Sequence, residues 1–215
     1  MTCSHGGASF IPSPEKLDRS VRYDRHVPRP ADPATRDRIL DAAGKLFYTR
    51  GIRAVGMAEI MTAAGCGKNV LYRYFPSKDE LVLASLQRFA EQINGSMDAA
   101  LEGLDKIPSA ALVAITREVA DRVTARGFRG CPFRNYLREM RDPSDAPGRF
   151  AMTQVRGLRR RVDALVERVE ADEPEVLADR IWLVIEGLYA SAPYGDRGEA
   201  ATTSVGLVQE LLAAA

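Results

Sequence analysis

The sequence predicts an all-α protein with a small three-helix front domain and a larger helical back domain. Three observations predict it. Apolar residues recur at helical spacing in segment after segment. No run of useful length alternates apolar and polar residues as a half-buried strand would. Helix start and stop signals sit at the segment ends, namely Asp32-Pro33, Ser77-x-x-Glu80 and single glycines. The implied organisation is an N-terminal arm over residues 1–31, a front domain over 32–80 and a back domain over 81–215.

The arm holds Pro12, Pro14, Pro28 and Pro30 with little apolar periodicity, so it is expected to lack regular structure. Arg19, Arg22, Arg25 and Arg29 recur there at spacings of three or four. Two readings stand: a solvated arm, or a basic arm that touches DNA phosphate. From Asp32 the pattern turns helical. Asp32 can cap a helix with Pro33 at its first position. Ile39, Ala43, Leu46 and Phe47 share one face, and Arg50-Gly51 ends it. A short second helix carries Met57, Ile60, Met61 and Ala64, and Gly65-Cys66-Gly67 breaks it. A third runs from about Lys68 to Tyr74, stopped by Phe75-Pro76. The Ser77/Glu80 capping box opens a long fourth helix with Val82, Leu86, Phe89, Ile93 and Met97 as its stripe. Helical faces follow near 109–126, 131–141, 147–171, 174–192 and 198–214.

Composition narrows the function. The chain has 215 residues, enough to bury a core without disulfide or metal staples. Cys3, Cys66 and Cys131 are too few and too widely spaced for a disulfide framework or a zinc pattern. Both histidines, His5 and His26, lie in the arm, which removes Ser-His-Asp triads and His-ligated metals from the folded body. No phosphate-binding Gly-rich motif occurs. No enzyme activity, metal site or cofactor is therefore expected. The most apolar run, Ile181–Ile185, is broken by Glu186 and Gly187, so no membrane span is expected. The N-terminus lacks a secretory pattern, so the expected location is cytoplasmic. Net charge is +1, unevenly spread: residues 1–80 hold 13 Lys and Arg against 9 Asp and Glu, and the remainder is net acidic. A basic front end fits a polyanionic partner.

Two short helices joined by a glycine turn are helix-turn-helix grammar. The third helix can then enter a major groove with its first residues at base edges. Lys68, Asn69, Tyr72 and Arg73 are its non-core positions. Asn pairs with adenine, Lys or Arg with guanine or phosphate, and Tyr donates to phosphate oxygen.

The segment Ala54–Leu81 resembles the DNA-reading head of the tetracycline-repressor (TetR) family of bacterial regulators. The resemblance is carried by Ile60, Ala64-Gly65, Leu71-Tyr72-Arg73-Tyr74-Phe75, Lys78 and Leu81. Upstream, Ile39, Ala42, Ala43 and Phe47-x-x-x-Gly51 also fit, so the match covers about residues 33–85. Gly130-Cys131-Pro132-Phe133 resembles an element of one branch of the family. Two positions depart. Gly56 stands where the family usually has a threonine that caps helix two and touches phosphate, and Gly67 where a serine caps helix three. Glycine caps cost only a few tenths of a kcal/mol relative to Ser or Thr, and bare helix-start amides still bind phosphate. The resemblance implies that Lys78 grips phosphate at the start of helix four; a surface lysine beside a capping box is the other reading. Tyr74 divides between phosphate contact and packing. The DNA-binding set is thus Gly56, Gly67, Lys68, Asn69, Tyr72, Arg73, Tyr74 and Lys78.

For the back domain the resemblance implies an effector pocket between helices. Aromatic and sulfur residues at helical spacing are usually core, so both readings apply. The candidate ligand-binding set is Phe89, Ile93, Ile115, Phe133, Asn135, Tyr136, Met152, Trp182, Glu186 and Tyr189. Gln154 is a further polar candidate. Cys66 and Cys131 read as small buried fillers, Cys131 with redox sensing as its alternative. Arg159-Arg160-Arg161 reads as a solvated face. On the last two helices, Gly187, Ala190, Ser191, Ala201, Ser204, Val205, Val208 and Leu212 permit close helix approach. They either pair across a two-fold axis, as the resemblance implies, or close the domain's own core.

The expected function is a ligand-responsive transcriptional regulator, specifically a repressor. It would bind a palindromic double-stranded operator as a homodimer and be released by a small apolar effector. Helix four would link pocket to reading head. The alternative is a small-molecule carrier or interaction protein with a vestigial reading head.

Overall fold

In the computed structural model, residues 32–140 and 144–215 are described. Cys3, His5, His26 and the arm arginines Arg19, Arg22, Arg25 and Arg29 lie outside the described residues. Nine α-helices and no strand occur among the described residues. They are α1 (Pro33–Arg50), α2 (Met57–Ala64), α3 (Lys68–Tyr74), α4 (Lys78–Leu101), α5 (Pro108–Thr124), α6 (Pro132–Glu139), α7 (Ala146–Val166), α8 (Pro174–Ser191) and α9 (Arg197–Ala213).

The helix ends follow the local signals. The Asp32 side chain accepts from the Ala34 amide, with Pro33 at the first position. Ser77 accepts from the Glu80 amide at 3.1 Å and starts α4. Asp145 accepts from the Gly148 amide at 2.7 Å and starts α7. The predicted segment from 147 to 171 is cut short, because α7 ends at Val166.

In the head, α1 packs on α2 and α4, and α3 follows α2 across the glycine turn. Ile39, Val55, Ile60, Leu71 and Leu81 are fully buried and close its core. Arg38 reaches from α1 to the Ala64 carbonyl at 2.9 Å, which fixes the end of α2. In the body, α5 lies centrally against α4, α7, α8 and α9. Its Leu112, Ile115, Val119 and Val123 are completely buried.

Two sets of polar contacts tie the head to the α6 end of the body. The Tyr48 hydroxyl on α1 donates to the Gly130 carbonyl and accepts from the Arg129 amide, both at 2.9 Å. Burial raises the Tyr48 pKa, so its proton stays available as a donor. The Glu139 carboxylate at the end of α6 accepts from the Ile52 amide at 3.0 Å and the Arg53 amide at 2.6 Å. Gly51 allows this approach: it takes φ 86°, and a Cβ there would sit 3.1 Å from the carboxylate. Gly130 is held similarly, at φ 103°, with Asn135 closed over it and donating to the Arg129 carbonyl.

Gly130→Ala is expected to be destabilising. The added Cβ would lie 2.5 Å from the Asn135 side chain, on a backbone that side chains rarely adopt. A cost of about 1–3 kcal/mol corresponds to a melting temperature lower by about 2–12 °C at this size. Thermal unfolding followed by circular dichroism checks this; an unchanged midpoint would mean the loop is not held as described.

Candidate nucleic-acid interface and effector cavity

Helix α3 presents Lys68, Asn69, Tyr72 and Arg73 to solvent, while Leu71 anchors it in the head core. The caps of α2 and α3 are Gly56 and Gly67, both extended and both without a side-chain hydrogen bond. The starts of the two helices therefore carry no side-chain cap, a place that phosphate can take. A Cβ added at either glycine would meet no atom within 4 Å, so nothing in the packing requires glycine there. Lys78, at the first position of α4, is half-buried. Of the two readings of Tyr74, packing is present in the structure: its hydroxyl donates to the Asp32 carbonyl at 3.0 Å and its ring lies under Arg73, so it braces α1 against α3.

In the body a cavity of about 340 Å³ opens between α4, α5, α6, α7 and α8. Met97, Cys131, Phe133, Arg134 and Tyr189 form its buried floor. Ile93, Val155 and Leu158 form half-buried walls, and Asn94, Asp98, Thr153 and Arg160 an exposed rim.

Of the ten expected ligand-binding residues, Ile93, Phe133 and Tyr189 line this cavity, as does Gln154. Glu186 stands behind it and pairs with Arg134. The others are placed elsewhere. Ile115 is sealed in the core at 0% exposure. Phe89 packs on Tyr48, ring centres 5.6 Å apart. Tyr136 is buried and donates to Asp145 at 2.6 Å; burial and that carboxylate raise its pKa. Asn135 secures the Gly130 loop. Met152 is half-buried on α7 outside the lining, and Trp182 packs under Arg134 and Arg159.

The residue that sequence reasoning missed is Arg134. It is 8% exposed and bound through Nε to both Glu186 oxygens at 3.1 Å, with a further contact through Nη2. Its guanidinium carbon lies 4.4 Å from the Tyr189 ring centre. Burial disfavours its charge, but Glu186 and the neighbouring Cys131 sulfur outweigh that and raise its pKa. The partner lies 52 residues away, so no local spacing announces the pair. Arg122 sits alongside, paired with Glu118 at 2.6 Å and reaching the Tyr189 oxygen at 3.5 Å. Burial, helped by Cys131, pushes the Tyr189 hydroxyl up to about 12 against the pull of Arg122 and Arg134, so it stays protonated at neutral pH. The arginine run is also more than a solvated face. Arg159 bridges Asp163 and Asp179, Arg161 pairs with Asp98, and Arg160 and Arg161 line the cavity.

The expected interface on α9 needs correction. Ala201, Ser204 and Val208 are 9%, 8% and 0% exposed, turned into the chain's own core. Val205 and Leu212 are half-buried and pack against that core. The periodicity is genuine but marks the inward face, where small residues let α9 settle on α5. On α8, Gly187, Ala190 and Ser191 do face outward, in a stripe with Val176 and Leu183, the latter 68% exposed. Leu207 on α9 continues that surface.

The family model for bacterial regulatory proteins of the tetR family matches residues 39–85, the head just described. A TetR-type regulator of known structure from Streptomyces avermitilis is 30% identical, with 84% of this chain and 97% of that one covered at a TM-score of 0.70. The chain belongs to the TetR family. The TetR-family regulator SCO4454 of Streptomyces coelicolor superposes at a TM-score of 0.79 with 26% identity, covering 86% and 97% of the two chains. The transcriptional repressor KstR2 of Rhodococcus jostii is 35% identical over 102 residues, 44% of this chain and 50% of that one. The chain spans half or less of the length of the curated relatives that match it at 35–46% identity. No described helix of this TetR-family chain is long and apolar enough to cross a membrane.

Lys78→Ala is expected to weaken DNA binding by a similar factor on every sequence. It should lower the slope of log affinity against log salt by about one, the loss of one phosphate contact. Fluorescence anisotropy over a salt series measures this; an unaltered slope would take Lys78 out of the interface.

Proposed function

We propose that this TetR-family transcriptional regulator is a ligand-responsive repressor. In this reading it binds a palindromic operator as a homodimer in the cytoplasm, and a small molecule filling the cavity releases it. The cavity is given no catalytic task. The observation that carries the proposal is α6. It holds Arg134 in the cavity floor at one end and, through Glu139, the backbone amides just after α1 at the other. Helix α4 makes a second link, with Lys78 at the DNA side and Ile93 and Met97 in the cavity. A ligand that moves either helix changes the pose of the head. The name of the repressor KstR2 agrees with this direction of control, while FasR of Mycolicibacterium smegmatis, 46% identical over 66 residues, is named an activator.

Support for a dimer comes from Gly187. An added Cβ there would meet nothing within 4 Å, so the chain's own packing gives no reason for a glycine. Mid-helix glycine costs about 1 kcal/mol against alanine, which a close two-fold helix contact would justify. Two reading helices would then sit about 34–36 Å apart, or a multiple of that, on the operator.

Selection of bound sequences from a random duplex pool, followed by footprinting, tests the proposal. Two inverted half-sites at that spacing are expected; recovery of no palindrome would sink the operator reading. Gly187→Leu should fold, shift sedimentation from dimer to monomer and reduce operator affinity. A dimer of unchanged stability would move the interface elsewhere. Glu139→Gln keeps the shape of α6 but leaves one neutral acceptor for two amides. Losing about 1.5 kcal/mol of charged hydrogen bonding should speed hydrogen exchange at Ile52 and Arg53 about tenfold. It should also alter operator affinity; no change in either would remove Glu139 from the linkage.

A further inference from the structure

The floor of the cavity is rich in donors and poor in acceptors. Arg134 turns Nη1 toward Cys131, whose sulfur at 3.5 Å is a weak acceptor. The Tyr189 hydroxyl accepts from Arg122 but donates to nothing among the described residues. Both residues are more than nine-tenths buried, and both line the cavity together with Arg122. The charges add to this. Four guanidinium groups line the cavity, and three are paired: Arg122 with Glu118, Arg134 with Glu186, Arg161 with Asp98. The fourth, Arg160, has no ion-pair partner among the described residues, which leaves one positive charge uncompensated. Ile93, Met97, Phe133, Val155 and Leu158 supply apolar wall between floor and rim.

We infer that the cavity takes a small monocarboxylate with an apolar body, its oxyanion held by Tyr189, Arg134 and Arg122. The inference rests on the effector reading above and names the chemistry of that site. A neutral, purely apolar ligand would close over the Tyr189 hydroxyl without offering its proton an acceptor and would leave Arg134 Nη1 with only the weak Cys131 sulfur, which buried polar groups resist. A cationic ligand would meet excess positive charge. A carboxylate supplies acceptors for all three donors and balances the remaining charge. The expectation of a plainly apolar effector is thereby refined to an amphipathic acid.

The test uses the full chain and three acids, octanoate, decanoate and 3-phenylpropionate, each beside its matched alcohol. Binding is read from melting temperature and from the emission of Trp182, the chain's only tryptophan, whose ring centre lies 5.6 Å from the Arg134 guanidinium carbon. At least one acid should raise the midpoint and change the emission at concentrations where its alcohol does neither. Tyr189→Phe should weaken that acid about tenfold, as expected for one hydrogen bond to a charged group, and leave the alcohol unchanged. Arg160→Gln, at an exposed position where folding is not at stake, should weaken it about threefold. Alcohols that bind as tightly as acids, acids that do not bind, or acid affinity indifferent to both variants would overturn the inference. Release of labelled operator is followed in the same titration. An acid that binds the cavity without releasing operator would overturn the effector reading and leave the carboxylate site standing.

Discussion

A guanidinium buried among aromatic rings has to keep its counter-charge, and Arg134 keeps Glu186. The pair joins α6 to α8, with the Nε–H shared between the two carboxylate oxygens and Nη2 making a further contact, and Tyr189 and Trp182 pack against the same cation. Removing Glu186 would leave the buried Arg134 guanidinium without its counter-charge, at a cost of about 3–5 kcal/mol. The position of α6 is therefore set by electrostatics as well as by packing. That matters because α6 is short, eight residues, and its other end carries Glu139 against the amides of Ile52 and Arg53. One small helix thus answers to the cavity at one end and to the reading head at the other.

The head was legible in the sequence because its determinants are local. Asp32-Pro33, Gly51, the Gly65-Cys66-Gly67 turn and Ser77/Glu80 each act within a few residues, and each ended or began a helix where expected. The cavity was legible only in part. Phe133 and Tyr189 were visible as aromatics, but Arg134 depends on a residue 52 positions on, Arg122 on Tyr189 67 positions on. Helical periodicity finds faces without saying what covers them. Ala201, Ser204 and Val208 form a face as clear as that of Gly187 and Ala190, yet one points into the chain and the other out of it. The Tyr74 contact was hidden for a related reason, since a hydroxyl reaching back to Asp32 leaves no trace in spacing.

Gly56 and Gly67 change how the head can hold DNA. A Ser or Thr cap spends its oxygen on a first-turn amide and offers its hydroxyl to phosphate. With glycine the amides themselves remain, aligned with the positive end of the helix dipole. Backbone donors fix register and orientation but carry no sequence information. If α3 is the reading helix, base discrimination would fall to the exposed side chains Lys68, Asn69, Tyr72 and Arg73, a narrow set on a seven-residue helix.

The two links between cavity and head are not equivalent. Helix α4 is 24 residues long, so a displacement at Met97 would reach Lys78 as a rigid tilt of a rod about 36 Å in length. Helix α6 acts instead through polar contacts that are either made or broken: Glu139 on two amides, Tyr48 on Gly130 and Arg129. A bound carboxylate would draw on Arg134 and so compete for the guanidinium that positions α6. The ligand's differential affinity for the two arrangements is all that can shift the head. By linkage, DNA that prefers the unliganded arrangement weakens the ligand by the same factor. A cavity whose floor donors are already partly engaged by Glu186 and Glu118 is suited to this, because filling it exchanges contacts within the protein for contacts with the ligand.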